Sequence, residues 1–533
     1  MTTIRRLSIC VFFGFLMTPL IVAHPASAQS LAFKQAVAEA AAQDRDIAAF
    51  YKEIGYKPIW TSAARGDKKR REAFLAALGN ASAHGLPLDL YRPDEISTAM
   101  RAARTDRQLG ALEVELSRVF LDYARDVQTG ILTPARVDEG LVREVPMRPR
   151  KATLAAFHKS SAKGFLEALP PKSPEYARLM KEKIRFEKLI GRGGWGDEVA
   201  AKSLKPGASN NSVLQMRNRL IAMGYLSRTP TNSYDNAMLA AVKAFQSDHG
   251  LLNDGVAGAR TMEAINTTAS TRLSQIVVAM ERERWINMPL GKRHIWVNLT
   301  DFHARIVDNG KITFQTRSVV GANIAERRTP EFSDVMDHMV INPTWNVPRS
   351  IATKEYLPLL KEDPFAVSNL NIIDVRGRIV SRAEMDFAEY DETNFPYDLK
   401  EPPSQGNALG LVKFMFPNRY NIYLHDTPAK RLFGREKRAF SHGCVRLNDP
   451  FDFAYQLLAK QERDPQGFFK ATLATRKESF VTLKEPVPVH LVYRTAFTQA
   501  KGNIQFRGDV YGRDRKIWLA LSNAGVALSS VRG

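Results

Sequence analysis

The sequence SHGCVRL at residues 441–447 follows the sequence YLHDT at residues 423–427 after a spacer of 13 residues. A cysteine is a good nucleophile only as its thiolate, and a free thiol with a pKa of about 8.5 is mostly protonated at neutral pH. His425 is available to take the proton of Cys444, and the resulting imidazolium would stabilise the thiolate. Gly443 lets the backbone approach an acyl carbon, so the amides around Gly443 and Cys444 are candidate oxyanion donors. The two segments therefore predict acyl transfer by a thiol.

The cysteine count leaves a structural role for Cys444 open. The chain has two cysteines, Cys10 and Cys444, which are too few for a disulfide framework or a cysteine-rich zinc site. A lone cysteine with a histidine nearby in the sequence is commonly a buried structural residue. Four histidines outside the motif fit no metal-ligand spacing, so the sequence predicts no metal site and no cofactor. These histidines are His294, His303, His338 and His490.

The first 28 residues have the form of a cleaved export signal. Two arginines precede an apolar run over residues 7–23, and the sequence ASA at residues 26–28 suits signal peptidase. A membrane anchor is the alternative, although the run is short and a Thr-Pro pair interrupts it. Cleavage would remove Cys10, leaving Cys444 as the single thiol and a net charge of +18. We expect an exported protein with no transmembrane segment after cleavage.

Length, composition and charge limit the class of protein. The 533 residues are 44% hydrophobic and 25% charged, which excludes wholesale disorder and a polytopic membrane protein. At about 150 residues per domain, the length predicts three or four domains. The 76 basic residues exceed the 56 acidic ones, so we expect attraction to anionic wall polymer or lipid headgroups and no nucleic acid partner.

The N-terminal part, from Leu31 to about Lys202, is predicted to be helical. One apolar stripe has the spacing of a single helix face; it consists of Leu112, Leu116, Val119, Phe120, Tyr123 and Val127. Stretches rich in Gly, Pro, Ser and Asn at residues 191–196 and 204–211 are typical of linkers.

Residues 212–266 predict three short helices. The sequences MRNRLIAMGYL, YDNAMLAAVKAFQSDHGL and DGVAGARTMEAIN follow one another here, and together they resemble the peptidoglycan-binding-like domain, a three-helix module. Binding of glycan and a purely packing role both remain open for this copy. His249 is expected to be a capping or core residue.

The pattern changes to strands after Trp285. Residues 294–307 and 312–320 alternate or are rich in β-branched residues, as is typical of a mostly β domain. A polar insertion of about 60 residues, from Trp345 to Gln405, is long enough to indicate a lid. The sequences PVPVHLVY and NIQFRGDVY near the C-terminus also alternate, and we expect these strands to pack on the body.

The motif at residues 441–446, preceded at 16 residues by His425, resembles the signature of the L,D-transpeptidase (YkuD-like) catalytic domain. Further similar segments are NPTWNVP at 342–348, NALG at 407–410 and KFMFPN at 413–418. The helical part resembles the scaffold domain of the large Gram-negative transpeptidases, through FY at 50–51, PIW at 58–60, HGLP at 84–87, SPEY at 173–176 and GGW at 193–195. The resemblance covers the chain from about residue 45 to the C-terminal strands.

The predicted fold class is a multi-domain α+β protein in which a helical scaffold and a three-helix module accompany a mostly β, sandwich-like catalytic domain. The predicted organisation is a signal peptide (1–28), a helical scaffold domain (29–205), a peptidoglycan-binding-like domain (210–268), a catalytic domain (293–475) with a lid insertion (about 345–405), and C-terminal strands (486–533).

The resemblance implies a role for each residue of the motif. Cys444 would be the acyl-forming nucleophile, His425 its base, and the backbone carbonyl of Asp426 the third catalytic group. Many relatives carry Gly or Ser in place of Asp426; a carboxylate turned inward would raise the pKa of the base, whereas the carbonyl alone would leave it unchanged. The remaining residues would line the pocket or hold the loop or a substrate carboxylate: Ser441, His442, Gly443, Arg446, Tyr423 and Trp345.

The implied reaction is a periplasmic cross-linking of peptidoglycan. Cys444 would form a thioester with a tetrapeptide stem, release D-alanine, and pass the acyl group to a side-chain amine, giving a 3-to-3 cross-link; carbapenems would acylate the same thiol. The expected partners are stem peptides and glycan. Alternatives are an L,D-carboxypeptidase, a transferase that anchors an outer-membrane protein to the wall, and a non-enzymatic wall-binding protein.

Overall fold

The computed structural model describes residues 30–528, so the predicted leader and Cys10 lie outside the described residues. The N-terminal region is helical and has one apolar core. Its helices are α1 (Leu31–Ala41), α2 (Arg45–Glu53), α3 (Arg65–Gly79), α4 (Pro93–Ala102), α5 (Asp106–Thr129), α6 (Pro134–Val137), α7 (Arg150–Lys159), α8 (Ala162–Glu167) and α9 (Pro174–Ile190).

The central helix of this region is α5. The hydroxyl of Thr105 accepts a hydrogen bond from the Gln108 amide, and the Gln108 side chain accepts one from the Thr105 amide, which fixes the first turn. All six residues of the predicted stripe are buried in the regional core. The prediction of a packing face is therefore confirmed.

Residues 211–266 form three helices: α10 (Asn211–Met223), α11 (Asn236–Asp248) and α12 (Ala259–Asn266). The Gln246 side chain donates to Asp254 at 2.9 Å and accepts from the Gly255 amide at 2.8 Å, which ties α11 to the following turn. Gly255 has a φ of +75°, which favours glycine. His249 ends α11 with its ring stacked 3.8 Å from that of Phe245, so its packing and capping role is confirmed.

Helix α13 (Ala269–Trp285) joins this module to the catalytic domain. It is buried on nearly all sides, and the charged residues of its last turn are paired. Arg282 contacts Glu331 at 2.6 Å and Asp514 at 2.8 Å, and Arg284 contacts Glu281 at 2.8 Å. The helix therefore anchors the catalytic domain and the C-terminal segment to the helical regions.

The catalytic region is built on one large sheet, as the mostly β prediction requires. Its strands are β1 (Arg293–Asn298), β2 (His303–Asp308), β3 (Lys311–Gly321) and β4 (Ser333–Ile341) before the insertion. The insertion holds β5 (Trp345–Asn346), α14 (Arg349–Ile351), a π-helical turn (Ala352–Tyr356), α15 (Leu357–Glu362), β6 (Asn371–Ile373) and β7 (Asp398–Glu401). After it come β8 (Val412–Met415), β9 (Leu424–His425), β10 (Ala439–Ser441), β11 (Val445–Leu447), α16 (Pro450–Leu458), α17 (Pro465–Ala474) and β12 (Ser479–Val492).

The strand order is β10-β3-β11-β9-β8-β4-β12-β1-β2, and β2 also pairs with β3, so the sheet closes on itself around one apolar core. β9 and β11 are parallel neighbours, while β8 and β9 are antiparallel. The insertion has a separate three-stranded sheet, β5-β7-β6, and its own core. It is therefore a small folded unit.

The C-terminal part differs from the prediction in two respects. β12 lies between β4 and β1 and sends Val487, Val489 and Leu491 into the catalytic core, so the sheet continues past the predicted boundary at residue 475. Beyond it, β13 (Ala496–Phe497) and β14 (Gln505–Phe506) are short, and the last helix of the described residues is α18 (Arg513–Asn523). The helix forms because Ile517 and Leu521, four residues apart, are buried against α13.

Within residues 30–528, none of the helices is both long enough and apolar enough to cross a membrane.

Candidate active site

The predicted base lies in β9, and the predicted nucleophile immediately precedes β11, the parallel neighbour of β9. In the register of β9 and β11, Val445 lies opposite Leu424 and Arg446 lies opposite His425. Successive side chains of a strand point to opposite faces of the sheet. The apolar residues of these strands enter the catalytic core. His425 and Arg446, opposite each other in the register, share the other face. Tyr423 and Cys444 immediately precede the two strands, and Tyr423 lies next to both His425 and Cys444.

The Cys444 thiol is half-buried next to Tyr423. Its Sγ donates a hydrogen bond to the backbone carbonyl of Asn421 at 3.5 Å. Burial raises the pKa of Cys444 to about 11, although the Tyr423 backbone and hydroxyl and the Arg446 guanidinium act in the opposite direction. The thiol is therefore protonated at neutral pH.

His425 is buried, with its ring centroid 5.6 Å from that of Tyr423. Burial, and secondly the Arg446 charge, lower the pKa of His425 to about 3, while the carbonyls of Asp426 and Leu409 act in the opposite direction. Nδ1 is buried and makes no hydrogen bond of normal geometry to a described residue, so these carbonyls act on the ring by proximity. The imidazole is therefore neutral and able to accept a proton.

The Asp426 carboxylate faces away from the imidazole. Oδ1 pairs with Lys430 Nζ at 2.7 Å, and Oδ2 accepts a hydrogen bond from the Leu411 amide at 2.9 Å. Gly410 packs so closely that a Cβ there would lie 2.4 Å from Oδ2. The carboxylate of Asp426 is thus not turned inward, and only its backbone carbonyl acts on His425. The segment NALG at residues 407–410 thus packs against the Asp426 carboxylate, next to the base.

Cys444 precedes Arg446, the residue opposite His425, by two positions along the chain. No hydrogen bond joins Sγ to the imidazole in the described structure, because Sγ is directed to the Asn421 carbonyl. A change of the Cys444 rotamer redirects Sγ without moving either strand. Catalytic hydrogen bonds are commonly long before substrate binds. Both groups are therefore neutral before substrate binds.

The loop before Cys444 is fixed by its own hydrogen bonds. The Ser441 hydroxyl donates to the Cys444 carbonyl at 2.5 Å and accepts from the Gly443 amide at 3.2 Å. Thr329 Oγ1 donates to the Gly443 carbonyl at 2.7 Å. Gly443 has a φ of +121°, a conformation that disfavours any side chain. Because the Gly443 amide is engaged, the Cys444 amide is the better oxyanion donor of the two.

Arg446 is half-buried, and its guanidinium makes no hydrogen bond to the described residues. Its Nε is among the buried polar atoms without a partner. A buried cation without partners is costly unless it is satisfied by another group. Arg446 thus does not hold the loop in this state, and its donors are available to a carboxylate.

The insertion reaches the nucleophile loop through Glu355. Its Oε1 accepts hydrogen bonds from Arg327 Nη2 at 2.6 Å and from His442 Nε2 at 2.8 Å. The next residue, Tyr356, makes an edge-to-face contact with Trp345, at 6.3 Å between ring centroids. Trp345 therefore packs within the insertion, and it is not brought into contact with the other predicted site residues.

Sequence reasoning missed three residues of this site: Asn421, Thr329 and Glu355. Asn421 gave one local signal, because an asparagine before a strand favours the left-handed conformation that it adopts, with a φ of +53°. Thr329 and Glu355 lie 114 and 87 residues from their partners in the motif. No local pattern could have identified them.

In the described part of the chain, no three His, Cys, Asp or Glu side chains come close enough to hold a metal ion. The arrangement offers a thiol, a neutral imidazole, a partner-free guanidinium and a backbone amide on one surface. These are the groups that nucleophilic acyl transfer requires.

Three family models match separate parts of the chain. Residues 292–487 match the model described as the L,D-transpeptidase catalytic domain, residues 45–182 match the one described as the scaffold domain, and residues 209–265 match the "putative peptidoglycan binding domain". The catalytic match extends past residue 475, in agreement with the position of β12 in the sheet.

One protein of similar sequence and one similar solved structure can be compared with this chain. A "putative L,D-transpeptidase" of Haemophilus influenzae is 34% identical over 261 residues, which cover 49% of this chain and 52% of the relative. The chain thus spans about half the length of this curated relative. A crystal structure of an L,D-transpeptidase from Xylanimonas cellulosilytica is 16% identical, with a TM-score of 0.16, and the match covers 55% of this chain and 100% of that one.

Proposed function

Because residues 292–487 belong to the L,D-transpeptidase catalytic domain family, we propose that the protein is a peptidoglycan L,D-transpeptidase that works through a cysteine acyl-enzyme. The observation that supports the proposal is the pairing of β9 with β11, which sets Arg446 opposite His425 and begins directly after Cys444. The match at residues 209–265 to a peptidoglycan-binding domain supports the same substrate.

In the first half-reaction, a tetrapeptide stem is the acyl donor. The thiol turns from Asn421 to His425, which takes its proton as sulfur attacks the carbonyl that precedes the terminal D-alanine. The Cys444 amide donates to the oxyanion of the tetrahedral intermediate. His425 then returns the proton to the leaving amine, the C–N bond breaks, and a thioester forms. Since both groups start neutral, proton transfer accompanies attack.

In the second half-reaction, the side-chain amine of a second stem attacks the thioester. His425 accepts a proton from this amine, the C–S bond breaks, and the thiolate is reprotonated as Cys444 is released. The product is a 3-to-3 cross-link between two diamino acids. Arg446, whose guanidinium has no partner, would hold a carboxylate of a stem.

The proposed location is the periplasm, where this substrate occurs. The chain would reach it through the predicted leader, and its positive charge would favour the anionic wall.

The test of the proposed function is a product analysis with the purified protein lacking residues 1–28. Tetrapeptide muropeptides are incubated with the protein, and the products are resolved by mass. Dimers joined through two diamino acids, with release of D-alanine, are expected. Tripeptide without dimers would instead identify an L,D-carboxypeptidase. The absence of any D-alanine release, with retained binding to wall material, would identify a non-enzymatic binding protein. Transfer to an added envelope protein but not to a stem would identify an anchoring transferase.

We propose that the insertion limits hydrolysis of the thioester. Its own core makes it a folded cover, and Glu355 joins it to Arg327 and to His442, two residues from Cys444. A cover that is held down admits fewer water molecules to the acyl-enzyme, while a bound amine can still react.

Glu355→Gln is expected to raise the ratio of hydrolysis to cross-linking. The variant keeps the shape of the side chain but removes the charge that both partners share, and half-exposed ion pairs of this kind support an increase of about two- to fivefold. The tripeptide-to-dimer ratio measures it. The matched control is Glu362→Gln, an exposed change on the same insertion. An unchanged ratio in Glu355→Gln would remove the gating role from Glu355.

A further inference from the structure

A groove lies between the three-helix module and the catalytic domain. It consists of two adjoining cavities of about 730 and 850 Å³ that share Arg260, Glu436 and Lys437. The smaller cavity is otherwise lined by β10 and the segment before it: Arg431, Leu432, Arg435, Ala439 and Phe440. The larger cavity continues between α12, α13 and the C-terminal segment.

The catalytic wall of this groove carries positive charge without counter-ions. Arg431, Arg435 and Lys437 are exposed, and no carboxylate among residues 30–528 lies within ion-pair distance of them. The acid in the same wall, Glu436, is already engaged, because it pairs with Arg260 at 2.8 Å and accepts from the Leu252 amide at 3.2 Å. Single exposed cations are commonly only solvated, but three in seven residues of a concave surface concentrate the field and attract anions.

The two walls of the groove are held in place. Arg507 Nη1 donates to the Asp248 carbonyl at 2.8 Å, and Gln505 donates to the Asp248 carboxylate at 2.5 Å. The His249 ring stacks on Phe506, at 5.7 Å between centroids. Together with the Arg260–Glu436 pair, these contacts fix the module against the catalytic domain. The groove is therefore a preformed site.

One wall of the groove includes β10, the strand before the loop of Cys444. Phe440, in β10, is 44% exposed and faces the smaller cavity. The next residue, Ser441, donates its hydroxyl to the Cys444 carbonyl. A ligand that extends along this wall from Arg260 would thus contact an exposed aromatic ring four residues before Cys444 in the chain.

We propose that this groove binds the carboxylate-bearing stem peptides of a peptidoglycan strand, between the three-helix module and the catalytic loop. Three cations along one wall match a ligand with several carboxylates, and stem peptides carry such groups at regular intervals. Phe440 supplies an apolar surface for the peptide or sugar that links them. The inference rests on the proposed function, and it assigns substrate positioning to Arg431, Arg435 and Lys437.

The test measures how much of the full chain, without its leader, sediments together with purified sacculi. The sacculi are first freed of attached protein and polymer. The double variant Arg431→Glu/Arg435→Glu is expected to bind native sacculi about tenfold more weakly than wild type, because attraction becomes repulsion. Arg431→Gln/Arg435→Gln should be intermediate. The matched control is Arg45→Glu/Arg65→Glu, which makes the same charge change at two exposed arginines of the scaffold region, and it should bind as wild type does.

A second arm uses sacculi whose carboxylates have been converted to neutral amides. Wild type and the groove variant should bind these sacculi equally, and both more weakly than wild type binds native sacculi. Equal binding of the groove variant and the scaffold control to native sacculi would overturn the proposal. So would a loss of binding by the groove variant confined to anionic lipid vesicles. Sedimentation does not require the thiol, so failure of the proposed function would appear separately, as the absence of a thioester on Cys444.

Discussion

Replacing Cys444 by serine is expected to abolish covalent labelling and cross-linking. The variant loses the nucleophile while keeping the shape of the site, and removal of a catalytic nucleophile typically costs about 10⁴-fold or more in kcat. A serine hydroxyl is a poor replacement because His425, with its pKa lowered to about 3, is a weak base for an alcohol. The measurement is the rate of D-alanine release from tetrapeptide muropeptides, with intact mass as a second readout.

The same variant controls for folding. Cys444 is half-buried, and its side-chain hydrogen bond to the Asn421 carbonyl is weak. Cys444→Ser should therefore melt within a few degrees of wild type and still sediment with sacculi. Turnover or labelling at the wild-type rate in this variant would contradict the proposed cysteine mechanism. The described residues contain no second cysteine to take over the role.

His425→Gln is expected to lower the acylation rate about 10²- to 10⁴-fold, the usual contribution of a general base, and to change its pH dependence. In wild type, the imidazole stays unprotonated down to about pH 4 and the thiol stays protonated up to about pH 10, so the rate should vary little across the neutral range. In the variant, only the thiolate fraction reacts. Because the pKa of Cys444 is raised to about 11, that fraction rises about tenfold per pH unit below this value.

The pH profile separates a base from a packing residue. A structural role for His425 would lower the rate by a constant factor at every pH, whereas loss of the base gives a slope of about one in a logarithmic plot. His338→Gln, on β4 and paired with Asp337, is the matched control and should keep the wild-type profile. A flat profile in His425→Gln would contradict the assignment.

Local patterns predicted the helices and the motif well. The stripe on α5 and the three helices of the module depend on residues three to four positions apart, and such spacing determines which face is buried. The motif at residues 441–446 is similarly short, and it places Cys444 directly before β11. These features require no knowledge of the rest of the chain.

Long-range contacts account for what the sequence could not provide. The alternating sequence pattern of β12 would suit an edge strand equally well. Only its pairing with β4 and β1 shows that it is central to the sheet. Glu355 meets His442 across 87 residues, and the groove joins Arg260 to Arg435 across two domains. Such juxtapositions depend on tertiary packing.

The protonation states of Cys444 and His425 also could not be predicted from the sequence. The motif suggests an imidazolium beside a thiolate, but burial on the closed sheet makes both groups neutral by raising the pKa of Cys444 and lowering that of His425. Burial depends on the Asn421 turn and the NALG segment, which enclose β9. The proton must therefore move during attack.

Intact-protein mass spectrometry of the chain without its leader, mixed with a tetrapeptide muropeptide and quenched in acid, tests the central claim most directly. The account predicts a mass increase equal to the muropeptide less D-alanine, with the adduct mapped to Cys444 and sensitive to hydroxylamine, as a thioester is. An acyl group on any other residue, or D-alanine release by a chain whose thiol stays unmodified and freely alkylated throughout turnover, would contradict it.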